Sequence, residues 1–395
     1  MSEELIKNIS DVFEEKFSRK PLIVLSPGRI NLIGEHTDYN NGLVFPAAID
    51  KYIVVALSKS DNDFSTVYSV DFEEYLKIDF NNLNKLHKGG WKNYVIGVVA
   101  GILETGKPLG NFDLIFGGDI PIGAGMSSSA ALENGIVFGL NELFGLNLTP
   151  PEIMNISIDA EHNFAGTECG VMDQFSNLHG KEGNAILLDC SDLSYDYIPI
   201  IPEDYQFLLI NTNVKRQLSN SPYNQRKKAC KTGLETIRKQ FPKVESLGKA
   251  TATQLNSVKN KLSSEVYNRC MYVIEENERV KLSKEALQNN DWHRFGELLF
   301  ASHRGLSELY EVSLPELDFL VGLAKEDPAV LGARMMGGGF GGCTINLIEK
   351  NSVNRFIEKV QEEYQLKFGL RPDFYEINIT DGIKIYPGTQ RKNIK

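Results

Sequence analysis

The sequence lacks any block of basic residues. Its 42 Lys and Arg are spread along the chain and are outnumbered by 52 Asp and Glu, which gives a net charge of −10. Binding to nucleic acid or to an anionic membrane surface needs a concentrated positive patch, so neither is an expected partner. No apolar run approaches the roughly 20 residues that a membrane-spanning helix requires. Small molecules are therefore the expected ligands.

Cysteine is scarce and scattered as well. The five cysteines are odd in number and form no Cys-x-x-Cys pair, so neither a zinc site nor a disulfide framework is indicated. Scattered thiols are typical of a reducing compartment. The first residues, MSEELIKNISDVFEEKF, lack the basic start and the apolar run of a signal peptide. We expect a cytoplasmic protein.

The chain is long enough for two domains, because a single core rarely serves more than about 250–300 residues. Strand-like and helix-like segments are mixed in an order that indicates an α+β fold. We predict domains at 1–204 and 205–395, with an approximate boundary. A short strand at 22–25 is expected to lead into a mostly loop segment up to Asp50, and residues 165–175 are also predicted to be loop.

The segment GGDIPIGAGMSSSAALE, at 117–133, passes from glycines and three serines into good helix-forming residues. We predict a helix from about Ser128 to Phe144. The free N–H groups and the dipole of a helix start favour an anion, above all phosphate. The alternative is an ordinary serine-capped helix. No Gly-Lys-Ser/Thr follows the glycines, so the segment is not a Walker P-loop.

The earlier segment PGRINLIGEHTDYNNG places Arg29, Glu35, His36 and Asp38 close together. Carboxylates accept hydrogen bonds from hydroxyl groups while Arg and His donate them, so this set suits a polyol. A calcium loop is excluded because Gly42 falls at the fifth position counted from Asp38 and no glutamate closes the loop. The alternative is a solvated surface turn.

A third glycine-rich segment, at 337–342, formally matches the Gly-x-Gly-x-x-Gly of dinucleotide-binding proteins. A dinucleotide site requires a helix next, whereas 343–348 has the pattern of a strand. We reject that interpretation and predict a tight hairpin-like turn, which is compatible with a supporting role at a ligand site.

These three segments resemble the signature segments of the GHMP small-molecule kinases, and PGRINLIGEHTDYNNG is similar to the galactokinase signature. The likeness extends to Trp91-Lys92-Asn93-Tyr94, AEHNFAGTECGVMDQF, SPYNQR and SHRGLSELYEVSLPELD, in family order. The resemblance implies a two-domain GHMP kinase fold, with an N-terminal S5-like domain, a C-terminal ferredoxin-like domain and the active site between them.

The resemblance also implies roles for individual residues. Asp173 and Arg29 would be catalytic, and Ser129 and Glu161 would hold Mg²⁺. The sugar would be bound by Glu35, His36, Asp38, Gly170, Asp173 and Tyr223. ATP would be bound by Trp91, Gly123, Ala124, Gly125, Met126, Ser127, Ser128, Ser129 and Ala130. Independently of the resemblance, Arg226 stands three residues after Tyr223, and we predict that it is an ion-pair partner on a helix surface and not a phosphate contact.

The implied activity is ATP-dependent phosphorylation of the C1 hydroxyl of α-D-galactose, which gives α-D-galactose 1-phosphate and ADP, the first step of galactose catabolism. Two alternatives stay open: a kinase for a related sugar such as N-acetylgalactosamine, and a galactose sensor without catalysis. The sensor ranks last, because the junction 127–130 that is damaged in such relatives is intact. We expect a monomer that binds galactose and ATP.

Overall fold

The computed structural model describes residues 3–84, 86, 89–121, 123–214 and 222–389. The helices of this part of the chain are α1 (Glu3–Phe17), α2 (Trp91–Glu104), α3 (Ser128–Phe144), α4 (Pro150–Ala160), α5 (Met172–His179), α6 (Pro222–Gln240), α7 (Ala252–Ser257), α8 (Ser264–Gln288), α9 (Trp292–Gly305), α10 (Pro315–Glu326) and α11 (Val353–Phe368). Single π-helical turns at Glu161–Ala165 and Leu306–Tyr310 follow α4 and α9.

The strands are β1 (Leu22–Asn31), β2 (Leu43–Val44), β3 (Pro46–Lys59), β4 (Ser65–Ser69), β5 (Glu74–Ile78), β6 (Phe112–Gly118), β7 (Asn184–Asp189), β8 (Tyr195–Pro199), β9 (Tyr205–Asn211), β10 (Val330–Met335), β11 (Cys343–Glu349), β12 (Asp373–Glu376) and β13 (Lys384–Ile385). Together, strands and helices form the α+β architecture that the sequence predicts.

The first sheet has the order β13-β1-β3-β6-β4-β5, and its faces carry different helices. Successive side chains of a strand point to opposite faces. On β1, Ile23 and Leu25 pack with Ile9 and Phe13 of α1, while Val24 joins the larger core. Helix α3 packs across β1 and β3 in that larger core. The backbone N–H of Arg29 donates to the carbonyl of Met126, so the start of α3 lies near the carboxyl-terminal end of β1.

The second half of the chain builds a sheet with the order β10-β11-β9-β12. Strands β10 and β11 are antiparallel neighbours, so the glycines between them lie in a hairpin, as predicted. A third sheet, β2-β7-β8, is built from strands of the first half of the chain, with Leu43 of β2 opposite Asp189 of β7. Strand β13 returns to pair with β1, with Val24 opposite Ile385. The division at residue 205 stays a prediction.

Two loop predictions are wrong. Strand β1 continues to Asn31 and β3 begins at Pro46, so much of 26–50 is strand. Pro27 lies where the register of the β1–β3 pairing shifts, an irregularity that tolerates its missing N–H. Residues 172–179 form α5, which Asn177 fixes to β1 by donating to the carbonyl of Pro27 at 2.6 Å. Tertiary pairing overrides local propensity in both places.

No helix within the described residues is long and apolar enough to cross a membrane.

Candidate active site

The turn before α3 has the backbone that a phosphate-binding loop needs. Gly123 and Gly125 have φ of 76° and 82°, values that residues with a side chain rarely adopt. Ser127 is also left-handed, at φ 58° and ψ 52°. Its hydroxyl does not cap α3, so the first N–H groups of the helix stay available to an anion. This observation favours the phosphate interpretation over the simple serine cap.

Strand β1 holds this loop in place. The backbone N–H of Arg29 donates to the carbonyl of Met126 at 3.1 Å, and the Arg29 guanidinium donates to the carbonyl of Gly125. A Cβ at Gly28 would lie 2.8 Å from the Met126 carbonyl oxygen, so only glycine permits this approach. Ala124 and Met126 are buried and anchor the loop in the core. The loop is therefore preorganised by the strand that carries Arg29.

Asp173 joins the loop to Arg29. Its Oδ1 accepts from Arg29 Nε at 2.7 Å, and its Oδ2 accepts from Ser127 Oγ at 2.6 Å. Arg29 is buried and Asp173 is partly exposed. The Asp173 carboxylate, in the first turn of α5, is thus partly exposed while its neighbours fix both of its oxygens.

Ser129 and Glu161 form a second oxygen pair beside the loop. Ser129 Oγ donates to Glu161 Oε1 at 3.0 Å, and Gln174 Nε2 donates to Glu161 Oε2 at 2.9 Å. Burial and the negative charge of Asp173 raise the pKa of Glu161, and burial raises that of nearby Glu133 strongly. Among the residues that the structure describes, Oε1 of Glu133 has no hydrogen-bond partner. Negative groups therefore outnumber the cations here.

His36, Asp38, Gly170 and Tyr223 lie together on the other side of Asp173. The ring of His36 is 5.6 Å from that of Tyr223, and a Cβ at Gly170 would lie 2.1 Å from Asp38 Oδ2. Asp38 as a whole is half-buried, and its carboxyl group is surrounded by protein. Burial and the nearby charge of Asp173 raise the pKa of Asp38 to about 7. The set offers acceptors and donors to hydroxyl groups, as a polyol site requires.

Glu35 is engaged differently from the other predicted sugar ligands. Its Oε1 accepts from Arg334 Nη1 at 3.1 Å and from the backbone N–H of Gly337 at 2.7 Å. Arg334 lies in β10 and Gly337 begins the third glycine-rich segment, so Glu35 joins the two halves of the chain. A contact between Glu35 and a sugar stays a prediction. Oε2 is the oxygen that would make it, because both hydrogen bonds described above are accepted by Oε1.

Trp91 begins α2 and is buried. Its ring meets Phe116 edge-on at 5.1 Å, and it shares a core cluster with Ala124 and Met126 of the loop. Trp91 thus lies beside the loop, and its contact with adenine stays a prediction.

Several functional neighbours were missed from the sequence. Arg334, Gln174 and Glu133 stand within or next to the signature segments, but nothing in their spacing distinguishes them from core or surface residues.

The prediction that Arg226 is an ion-pair partner on a helix surface is wrong. It is buried and donates to the backbone carbonyls of Tyr310 and Glu311, at 2.7 Å each. Its partners are therefore carbonyl groups at a helix end, and a charge pattern along α6 cannot reveal them.

Replacing Gly170 with alanine should weaken sugar binding and leave ATP binding intact. The new Cβ would require Asp38 to move, because a contact of 2.1 Å is far below any van der Waals distance. A displacement of about 1 Å in such a site can cost about 10² in kcat/KM. We expect a loss of that order for the sugar, with the KM for ATP unchanged, in steady-state kinetics.

The matched control is Gly322→Ala in α10. Its Cβ would meet nothing within 4 Å, so the kinetics should equal those of the wild type. Normal sugar kinetics in Gly170→Ala would remove Asp38 and Gly170 from the site.

Three family models match the chain in order. They describe a galactokinase galactose-binding signature at residues 11–59, a GHMP kinase N-terminal domain at 93–181 and a GHMP kinase C-terminal domain at 283–366. A mevalonate kinase structure at 18% identity has a TM-score of 0.65 and covers 91% of this chain and 99% of its own, which shows the shared fold. Fold and site together define a two-domain GHMP kinase.

Curated relatives narrow this class. The galactokinase of Clostridium acetobutylicum is 40% identical over 388 residues, covering 96% of this chain and 99% of the relative. That of Thermotoga maritima is 39% identical over 361 residues, covering 91% and 99%. The structure of Lactococcus lactis galactokinase complexed with galactose has a TM-score of 0.93 at 33% identity, covering 96% of this chain and all of that one. The chain belongs to the galactokinase family.

Proposed function

We propose that this protein transfers the γ-phosphoryl group of ATP to the C1 hydroxyl of α-D-galactose, and that Asp173, Arg29 and the predicted sugar and phosphate residues carry the reaction. The observation that supports these assignments most is the position of Asp173. It is hydrogen-bonded at once to Ser127 of the phosphate loop and to Arg29, and it borders the group around Asp38. A hydroxyl placed against Asp173 would therefore be close to a loop suited to triphosphate.

In the proposed reaction, a new bond forms between the sugar O1 and the γ-phosphorus, and the bond from that phosphorus to the β–γ bridging oxygen breaks. ADP keeps the electron pair of that bond. The proton of the C1 hydroxyl passes to Asp173 if this carboxylate is a base, and Arg29 keeps the carboxylate oriented. Phosphoryl transfer has a loose transition state, so positioning and charge stabilisation dominate. The left-handed loop and the start of α3 would supply N–H groups to the phosphate oxygens.

Ser129 and Glu161 fit a magnesium ion. Hydroxyl and carboxylate oxygens are ligands that Mg²⁺ accepts, and a positive ion would offset the excess of carboxylates here. Within the described residues, no group of three or more His, Cys, Asp or Glu side chains could hold a metal alone. In general, Mg²⁺ is held by one or two protein carboxylates together with substrate phosphates. When bound, Mg²⁺ neutralises charge on the transferred phosphate.

A coupled assay for ADP release tests the function. We expect ADP release with ATP and galactose, and little with either alone. Faster turnover with N-acetylgalactosamine than with galactose would favour the related sugar kinase, and binding of both ligands without turnover would favour the sensor. The monomeric state and the location in the cytoplasm stay predictions.

Replacing Glu161 with alanine should raise the Mg²⁺ concentration needed for half-maximal rate. The reason is that the variant keeps Ser129 but loses the one carboxylate hydrogen-bonded to it. The measurement is a magnesium titration at fixed ATP, together with binding of Mn²⁺–nucleotide followed by electron paramagnetic resonance.

Glu168→Ala is the control, since Glu168 is exposed and pairs with Lys227 at 2.8 Å. It should titrate like the wild type. An unchanged magnesium dependence in Glu161→Ala would exclude Glu161 as a metal ligand.

A further inference from the structure

A chain of buried hydrogen bonds ends on His36. Cys230 Sγ lies 3.3 Å from the hydroxyl of Tyr310, which lies 2.8 Å from the hydroxyl of Tyr39. The Tyr39 hydroxyl in turn lies 2.8 Å from Nδ1 of His36. The other ring nitrogen, Nε2, is buried and has no partner among the described residues. Nothing in the signature motifs assigns this chain of groups a role.

This series of hydrogen bonds connects the two halves of the protein. Tyr310 is fully buried and ends the π-helical turn after α9, while Tyr39 and His36 follow β1. Arg226 fixes that turn through the carbonyls of Tyr310 and Glu311. The rings of His36 and Tyr310 also pack together, with centroids 4.8 Å apart. The orientation of His36 therefore depends on a residue nearly 275 positions away in sequence.

The direction of these hydrogen bonds decides which nitrogen of His36 carries the proton. Burial and the charges of Arg226 and Arg334 lower the pKa of His36 to about 3, so the ring is neutral and has one N–H. A phenol is a good donor and a neutral imidazole nitrogen is a good acceptor, whereas sulfur accepts weakly. The favoured order is Cys230 to Tyr310 to Tyr39 to Nδ1. The proton of His36 is then on Nε2.

This tautomer also complements a sugar. Asp38 and Asp173 are acceptors, so they use the hydrogens of sugar hydroxyls, and the oxygen lone pairs then need donors from the protein. An Nε2–H that has no protein partner can supply one. We propose that Tyr39 and Tyr310 are positioning residues for sugar recognition, which hold His36 as the tautomer whose Nε2–H donates to one sugar hydroxyl. This inference rests on the proposed function, because it places His36 at the sugar.

The test combines Tyr39→Phe and Tyr310→Phe with a set of monodeoxygalactoses lacking the hydroxyl at C2, C3, C4 or C6. Either variant removes one hydroxyl and keeps the ring. We expect the KM for galactose to rise about three- to tenfold, as for one hydrogen bond, with kcat and the KM for ATP within about twofold. With the wild type, the deoxysugar that lacks the hydroxyl bound by His36 should have a higher KM than galactose. With either variant, most of this difference in KM should disappear. That deoxysugar identifies the hydroxyl that His36 contacts.

Tyr364→Phe is the matched control. Tyr364 is fully buried and its hydroxyl donates to the backbone carbonyl of Thr212 at 2.9 Å, away from the sugar residues. This variant should keep the wild-type pattern of deoxysugar penalties. If Tyr39→Phe and Tyr310→Phe keep that pattern too, the proposal is wrong.

A second measurement needs folded protein but no catalytic turnover. The chain has 6 histidines, so long-range ¹H–¹⁵N spectra can be assigned with His36→Asn. We expect a protonated Nε2 and a bare Nδ1 at His36, and a shift toward the other tautomer in Tyr39→Phe. A protonated Nδ1 in the wild type would overturn the proposal. If the wild type fails to phosphorylate galactose, the proposed function fails, whereas these spectra still report the tautomer.

Discussion

Replacing Asp173 with asparagine is expected to lower kcat by roughly 10²–10⁴-fold, the range for loss of a general base. Asparagine has nearly the same shape but only one carbonyl oxygen, so it cannot accept from both Arg29 and Ser127 and also take a proton. The Arg29 guanidinium would then lack its anionic partner at 2.7 Å. Galactose binding should stay measurable, because the group around Asp38 is intact. The measurement is kcat from the ADP-release assay, with binding followed by calorimetry.

Comparison with Asp173→Ala separates the two roles still open for this residue. If Asp173 mainly orients the C1 hydroxyl, asparagine should retain far more activity than alanine. If it is the base, both variants should be similarly slow. Asp196→Asn is the control, since Asp196 is an exposed partner of Lys284 at 3.0 Å and should behave like the wild type. Near-normal turnover of Asp173→Asn would end the catalytic assignment.

The helix start at Ser128 was predictable because its signal is local. Glycines, serines and helix-forming residues follow one another, and the structure begins α3 at that residue. The hairpin at the third glycine-rich segment was predictable for the same reason. Turn and helix-start preferences operate within a few residues, so a single sequence carries them.

The path of β1 and the start of α5 were not predictable in this way. Residues such as Pro27 favour loops locally, but pairing with β3 and the bond from Asn177 outweigh that preference. The π-helical turn that ends at Tyr310 has no local signal either, since Arg226 and its neighbours fix it from elsewhere in the chain.

The site also combines features that local motifs predict with features that depend on contacts between distant segments. Motifs predicted which residues gather around the cleft, but they could not show that Ser127 binds Asp173 instead of capping α3. Nor could they show that Glu35 shares an oxygen between Arg334 and Gly337. Such hydrogen bonds join segments that are about 50 to 300 residues apart in sequence. Whether two such segments meet in space is determined by tertiary packing.

Arg334 is a buried cation at the junction between the two halves of the chain. Its side chain is fully buried, and it donates to the carbonyls of Leu32 and Met335 at 2.8 and 2.6 Å. A further bond reaches the carbonyl of Asn31, and Nη1 also meets Glu35 at 3.1 Å. The guanidinium therefore satisfies acceptors on both β1 and β10.

Replacing Arg334 with methionine should lower the free energy of unfolding by about 3–5 kcal/mol, because Glu35 and the carbonyls would remain buried without their cation. Methionine keeps the length of the side chain, so cavity formation contributes little. The measurement is the urea midpoint followed by both fluorescence and circular dichroism, since two probes reveal whether the halves still unfold together. Arg294→Met is the control, because Arg294 and its partner Glu297, 2.7 Å away, are both exposed, and such pairs contribute at most about 1 kcal/mol. Arg334→Met with the stability of that control would mean that Glu35 is held by the backbone of Gly337 alone.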